Sequence, residues 1–159
     1  MTAAHASLAP LILCACGGFL LAVLWMDLMF DVQVLRHRTD AELPEPVLAS
    51  IAAYYRRVTT TARPMGHLVG TVMAIALLTL AVELAIGGRA RAVTLASLAL
   101  GGGPILLAAL RVVPNAMRLA TRLDSPERQT ELARGICRDH LVCLAGILAF
   151  VVLQLAAAC

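Results

Sequence analysis

Four long apolar runs dominate the chain and restrict it to a narrow set of folds. Residues 8–30, 65–86, 92–113 and 141–158 each approach the roughly 20 apolar residues that a helix needs to cross a hydrocarbon core of ~30 Å. Inside a bilayer the backbone must satisfy its own hydrogen bonds, which leaves helices or a closed barrel. None of the four runs alternates with the period of two that a barrel strand carries. The expectation is therefore an all-α integral membrane four-helix bundle, a single transmembrane domain over residues 1–159. Composition points the same way. Of 159 residues 60% are apolar and 14% charged, whereas a soluble domain has about 25% charged residues. That argues against a soluble enzyme and against a nucleic-acid partner.

The arginines orient the bundle. Five lie between the first two spans, five between the last two and one, Arg111, just inside the third; only Arg89 and Arg91 lie in the short second connection. Eleven against two puts the loops 31–64 and 114–140 in the cytoplasm and both termini on the non-cytoplasmic side. The first span has no basic stretch before it and is longer than a signal-peptide core, so it reads as retained protein. All 13 basic residues are arginine. With the abundance of alanine, this suggests a GC-rich bacterial genome and the inner (cytoplasmic) membrane.

The connections carry structure of their own. Asp40 to Pro46 (DAELPEP) is an acidic, proline-punctuated turn that should stop the first helix. Val47, Leu48, Ile51, Tyr55 and Val58 then recur at helical spacing. They predict either an interfacial helix or an extension of the second span bent at Pro64. In the third connection Ser125 can cap a helix with Pro126 in its first position. Gly101-Gly102-Gly103-Pro104 falls mid-span and either kinks the third helix or lets a neighbour pack closely. Gly66-x-x-x-Gly70 reads as a packing pair.

Ionisable residues inside a membrane are costly and mark candidate sites. Here they collect at the arginine-rich ends. Asp27 and Asp31 stand one turn apart on the first helix, His67 one turn into the second, and Arg138 and His140 at the start of the fourth. Arg111, Asn115, Arg118 and Arg122 form a stripe down the third. In a structural reading, Asp27 and Asp31 pair with Arg111 and Arg118 to fix helix packing. In a functional reading, Asp27, Asp31, His67, Asn115 and His140 line a polar pocket open to the cytoplasm.

Two further ligand patterns are weaker. Cys137-x-x-His140-x-x-Cys143 places three ligand types within two turns, but the outer two diverge around the helix, so packing is the default and a metal site the alternative. Cys14, Cys16 and Cys159 lie toward the outer side, and no CxxC occurs, which argues against a thiol–disulfide oxidoreductase. A bridge from Cys14 or Cys16 to Cys159 stays open.

The segment Val113-Pro114-Asn115-Ala116-Met117-Arg118-Leu119, followed by Cys137-x-x-His140-x-x-Cys143, resembles the anthrone oxygenase-like family of small four-helix membrane proteins. Asn115 and His140 match that family's Asn and His; Cys137, and Cys143 in place of the family's Arg, depart from its pattern. The likeness spans the second half of the chain, and the first half only by topology. It implies a cofactor-independent oxygenase acting on an apolar aromatic or quinone-like substrate. His140 or His67 would deprotonate that substrate, Arg111 or Asn115 would stabilise the anion, and Asp27 or Asp31 would orient the imidazole.

Three other classes are carried beside it. One is a non-catalytic accessory subunit of a membrane complex, with protein partners or copies of itself around it. The second is an electron-transfer subunit binding haem or quinone through His67 and His140. The third is a small carrier using Asp27 and Glu83. No cofactor is expected, with haem or a metal as the alternatives.

Overall fold

A computed structural model describes residues 3–87 and 90–157. It is all-α, and four of its helical stretches are long and apolar enough to cross a membrane. Arg89, expected in the second connection, and Ala158 and Cys159, at the expected end of the fourth span, lie outside the described residues.

Helix α1 (Ala3–Asp31) continues as a tight 3-10 turn, Val32–His37. The acidic, proline-punctuated turn then reverses the chain. His37 Nδ1 lies 2.8 Å from Asp40 Oδ2, and the buried Leu43 donates its N–H to Thr130 Oγ1 at 3.0 Å. Helix α2 (Glu45–Arg56) buries Leu48, Ile51, Ala52 and Tyr55, the one-face spacing that the sequence carries. A π-helical turn, Arg57–Thr61, leads out of it, with the Thr59, Thr60 and Thr61 hydroxyls folded back onto the carbonyls of Tyr55, Arg56 and Arg57. The helix breaks at Ala62 (φ −98°, ψ 48°) before α3 (Arg63–Ile86) begins with Pro64 in its first turn. Thus α2 does not prolong the second span; it folds back onto the end of the third. Gly87 ends α3 at φ 69°, a conformation that suits a residue without a Cβ.

The third span runs over Arg91–Thr121. It consists of α4 (Arg91–Ser97), α5 (Gly103–Leu107) and α6 (Val113–Thr121), joined by π turns at Leu98–Gly102 and Ala108–Val112. The glycine–proline run therefore widens the helix without breaking it. Of its glycines Gly101 serves close packing, since a Cβ there would lie 2.9 Å from the Phe150 ring, whereas one on Gly103 meets nothing within 4 Å; the run's Pro104 in turn crowds Gly146, where a Cβ would lie 2.6 Å from Pro104 Cγ. Gly66 and Gly70 do not pack in this way. A Cβ on Gly70 meets nothing within 4 Å and one on Gly66 only a carbonyl at 4.0 Å. Ser125 caps α7 (Pro126–Ala156) through Arg128 N–H at 3.4 Å.

Two apolar cores result. Leu13, Cys16, Leu20 and Leu24 of α1 meet Ala76 and Leu80 of α3, Ile105 of α5, and Cys143, Ile147 and Phe150 of α7. Nearer the arginine-rich end, Val34, Leu48, Ile51 and Tyr55 meet Val112, Ala116 and Leu119 of the third span and Leu132, Ile136 and Cys137 of α7. A helix of 31 residues, such as α7, is ~46 Å long against ~30 Å of hydrocarbon. The second core is the part that extends beyond the apolar spans as a cap.

Candidate functional site

Between the two cores lies a polar layer. On α1 it falls after Leu24 and before Val34, and on α7 between Cys137 and Cys143. Asp27 and Asp31 enter it from α1, one turn apart, as their spacing requires. His140 enters from α7, and Tyr54 and Tyr55 from α2. Tyr55 Oη donates to Asp31 Oδ1 and Tyr54 Oη to Asp27 Oδ1, both at 2.6 Å. The other oxygens of the two carboxylates face the imidazole: Asp31 Oδ2 lies 2.6 Å from His140 Nδ1, and Asp27 Oδ2 lies 3.6 Å from Nε2. The Phe30 and Tyr54 rings stack at 4.1 Å and close the layer on one side.

The centre of this layer is buried. Asp31 is 0% exposed and His140 4%. Unpaired carboxylates here would cost several kcal/mol each in desolvation, so each oxygen is turned to a donor. In the arrangement that satisfies every group, both carboxylates accept, and the imidazole and the phenols donate. The tyrosines belong to the cap, and their phenols respond to the same surroundings. Burial first, and the adjoining carboxylates second, push both well above the ordinary phenol range. Neither of two open cavities, one beside the α7 arginines and one between Glu83 and Thr94, is lined by Asp27, Asp31 or His140.

The residues that the sequence singles out separate into three groups. Asp27, Asp31 and His140 come together. Arg111 does not reach the two aspartates; it pairs with the buried Asp139 at 2.8 Å, and Arg138 lies 3.2 Å from the same carboxylate. Arg118 clamps Asp124 with two bonds of 2.7 and 2.8 Å, and Arg122 pairs with Glu45. The Arg118 guanidinium holds the Asp124 carboxyl below the usual carboxylate range. The expected pairing of Asp27 and Asp31 with Arg111 and Arg118 is thus replaced by tyrosines and a histidine. His67 and Asn115 stay outside the polar layer: His67 is exposed on α3 and Asn115 is half-buried on α6.

Sequence reasoning passed over Asp139 and Tyr54, and placed Tyr55 on the apolar face of α2 without assigning it to the site. Asp139 stands between Arg138 and His140, and its burial was not visible from that neighbourhood. Tyr55 could have been found, since it shares the buried face of α2 with Leu48 and Ile51.

This geometry does not suit the chemistry first expected. A histidine whose two nitrogens already face carboxylates has no lone pair aimed at a substrate, and Asn115 is not beside it to hold an anion. With His67 on the outside of α3, the pair does not clasp a haem. Among the described residues no three His, Cys, Asp or Glu side chains gather as a metal site, and Cys137 and Cys143 are buried as free thiols. Cys14 and Cys16 are also free, and Cys159, their suggested partner, lies outside the described residues. Glu83, named with Asp27 for a small carrier, is 9% exposed.

No curated protein and no solved structure shows significant similarity to the chain. The model of one family does match, over residues 5–156: the SHR3 chaperone, described as an ER membrane protein. That match covers both halves of the chain and overturns the anthrone oxygenase-like resemblance, which rested on Asn115 and His140 in the second half. The oxidoreductase reading, the small aromatic or quinone-like substrate and the bacterial origin fall with it. The chain is an integral membrane protein and belongs to the SHR3 chaperone family.

Proposed function

We propose that the protein is a non-catalytic chaperone of the ER membrane. It would hold polytopic membrane proteins, amino acid permeases among them, while their helices assemble. The observation that carries this reading is the family match across residues 5–156. Two features of the molecule support it. The polar layer of Asp27, Asp31, His140, Tyr54 and Tyr55 is internally satisfied, as befits a clamp that fixes the register of α1, α2 and α7. Arg111 acts alongside it, through Asp139.

The second feature is α3, the least covered of the four spans. Gly66, Gly70 and Ala74 recur every fourth residue and are exposed, beside the exposed His67 and Thr71. Small residues let a second helix approach closely, and polar neighbours give it hydrogen bonds within the bilayer. A client's transmembrane helix would pack there. The arginine bias supports a cap facing the cytoplasm, with both termini toward the lumen.

A photo-crosslinking amino acid at position 70, in ER-derived vesicles synthesising an amino acid permease, tests the reading. The expected product joins the chain to the nascent permease. The same probe at position 80, where Leu80 is 0% exposed, is expected to give none. Equal products from both positions, or none from position 70, would overturn the assignment of α3 as the client face.

A further inference from the structure

A groove of about 590 Å³ opens on the outside of the bundle between the end of α1 and α7. Its rim carries Arg38, Arg134 and Arg138. Among the described residues neither Arg38 nor Arg134 pairs with a carboxylate. Arg38 uses Nε on the Leu35 carbonyl at 3.3 Å, and Arg134 uses Nη2 on the carbonyls of His37 and Asp40, both at 2.7 Å. The side chain of Asp40 is engaged by His37, and that of Asp139 is shared by Arg111 and Arg138. The Nε of Arg134 is buried and makes no hydrogen bond among the described residues.

Below the arginines the groove is apolar. Leu141, Val142 and Ala145 continue down α7 into the span and are exposed, and Leu35 faces them across the groove. At 1.5 Å per residue, Ala145 lies ~10 Å deeper than Arg138. Arg138 stands three residues before the fourth apolar run, and Leu141, Val142 and Ala145 lie within it. The groove therefore has a cationic mouth at the interface and an apolar floor directed toward the bilayer centre.

We infer that this groove is a binding site for one anionic phospholipid, its headgroup held by Arg38, Arg134 and Arg138 and an acyl chain lying along Leu141, Val142 and Ala145. Charge complementarity selects the occupant. The rim offers uncompensated positive charge, and the lower part offers apolar surface that lipid chains cover in any bilayer. A client helix would have to bring an acidic residue to this depth as well.

Native mass spectrometry of the intact protein, released from detergent supplemented with either phosphatidylserine or phosphatidylcholine, tests the site. The expected result is retention of a single phosphatidylserine and little phosphatidylcholine. An Arg38→Gln/Arg138→Gln variant keeps the Arg134 bonds to the loop. It should weaken retention about thirtyfold, the combined worth of two arginines at a membrane surface. Val142→Trp fills the apolar floor without touching a charge, and it should reduce retention by itself. Inorganic phosphate and glycerophosphoserine, which lack acyl chains, should not displace the lipid. Equal retention of both lipids, displacement by phosphate at equal concentration, or unchanged binding in Val142→Trp would each overturn the proposal.

Discussion

At Asp31 a single carboxylate joins three helices: it sits on α1, accepts from Tyr55 of α2 and faces His140 of α7. Its loss would leave Nδ1 of the imidazole and the Tyr55 phenol buried without partners. Replacing it by alanine should therefore cost about 3–5 kcal/mol, as when one partner of a buried pair is removed. Tyr55→Phe removes one donor and keeps the ring, and should cost about 1–3 kcal/mol. Equilibrium unfolding of both variants in mixed detergent and denaturant measures the difference; negligible losses in both would mean that the ring packing, not the layer, carries the stability.

The same residues give a pH dependence whose sign is fixed. Tyr54 and Tyr55 are the only tyrosines of the chain, and the fold pushes both phenols up. A group with a raised folded value contributes stability in full below its unfolded value, about 10 for a phenol, and loses it as pH rises beyond. Tyrosinate absorbance should thus be absent from the folded protein at pH values where free tyrosine ionises, and should appear together with unfolding. A smooth two-phenol titration with no loss of helix would contradict this.

At the scale of elements, legibility depended on whether the spacing was regular. The faces of α1, α2 and α7 follow the ordinary helical period, so Asp27 with Asp31, the α2 face and the Ser125 cap were all readable. The third span was not. Its two π turns each insert a residue and rotate everything beyond them by roughly a quarter-turn. The Arg111–Arg122 stripe drawn on a regular helix therefore assigns the wrong partners, and Arg111 meets Asp139. Glycines show the same divide. Gly146→Ala brings a Cβ to 2.6 Å from Pro104, and overpacking of this kind costs about 1–3 kcal/mol. Gly70→Ala meets open space and should raise helix stability by about 0.5–1 kcal/mol. Thermal unfolding of the two variants should move in opposite directions, and parallel shifts would contradict the placement of α3 on the outside.

For the whole molecule, the sequence disclosed four apolar helices but not what they are for. A polar cluster in a membrane protein reads as a reactive pocket until its partners are seen. Here the charges of Asp27, Asp31 and His140 are answered from within, and the contacts proposed for the molecule lie on outward faces, the uncovered side of α3 and the cationic groove on α7. Two short matching motifs in the second half suggested chemistry, whereas a match along nearly the whole chain places it in the SHR3 chaperone family.

The most direct test follows an amino acid permease synthesised into ER-derived vesicles depleted of this protein, then resupplied with the wild type or with Gly66→Leu/Gly70→Leu, and resolved on a blue native gel. The account predicts aggregated permease in depleted vesicles, dispersed permease once the wild type is restored, and little rescue by the variant. Dispersed permease in the depleted vesicles would contradict it.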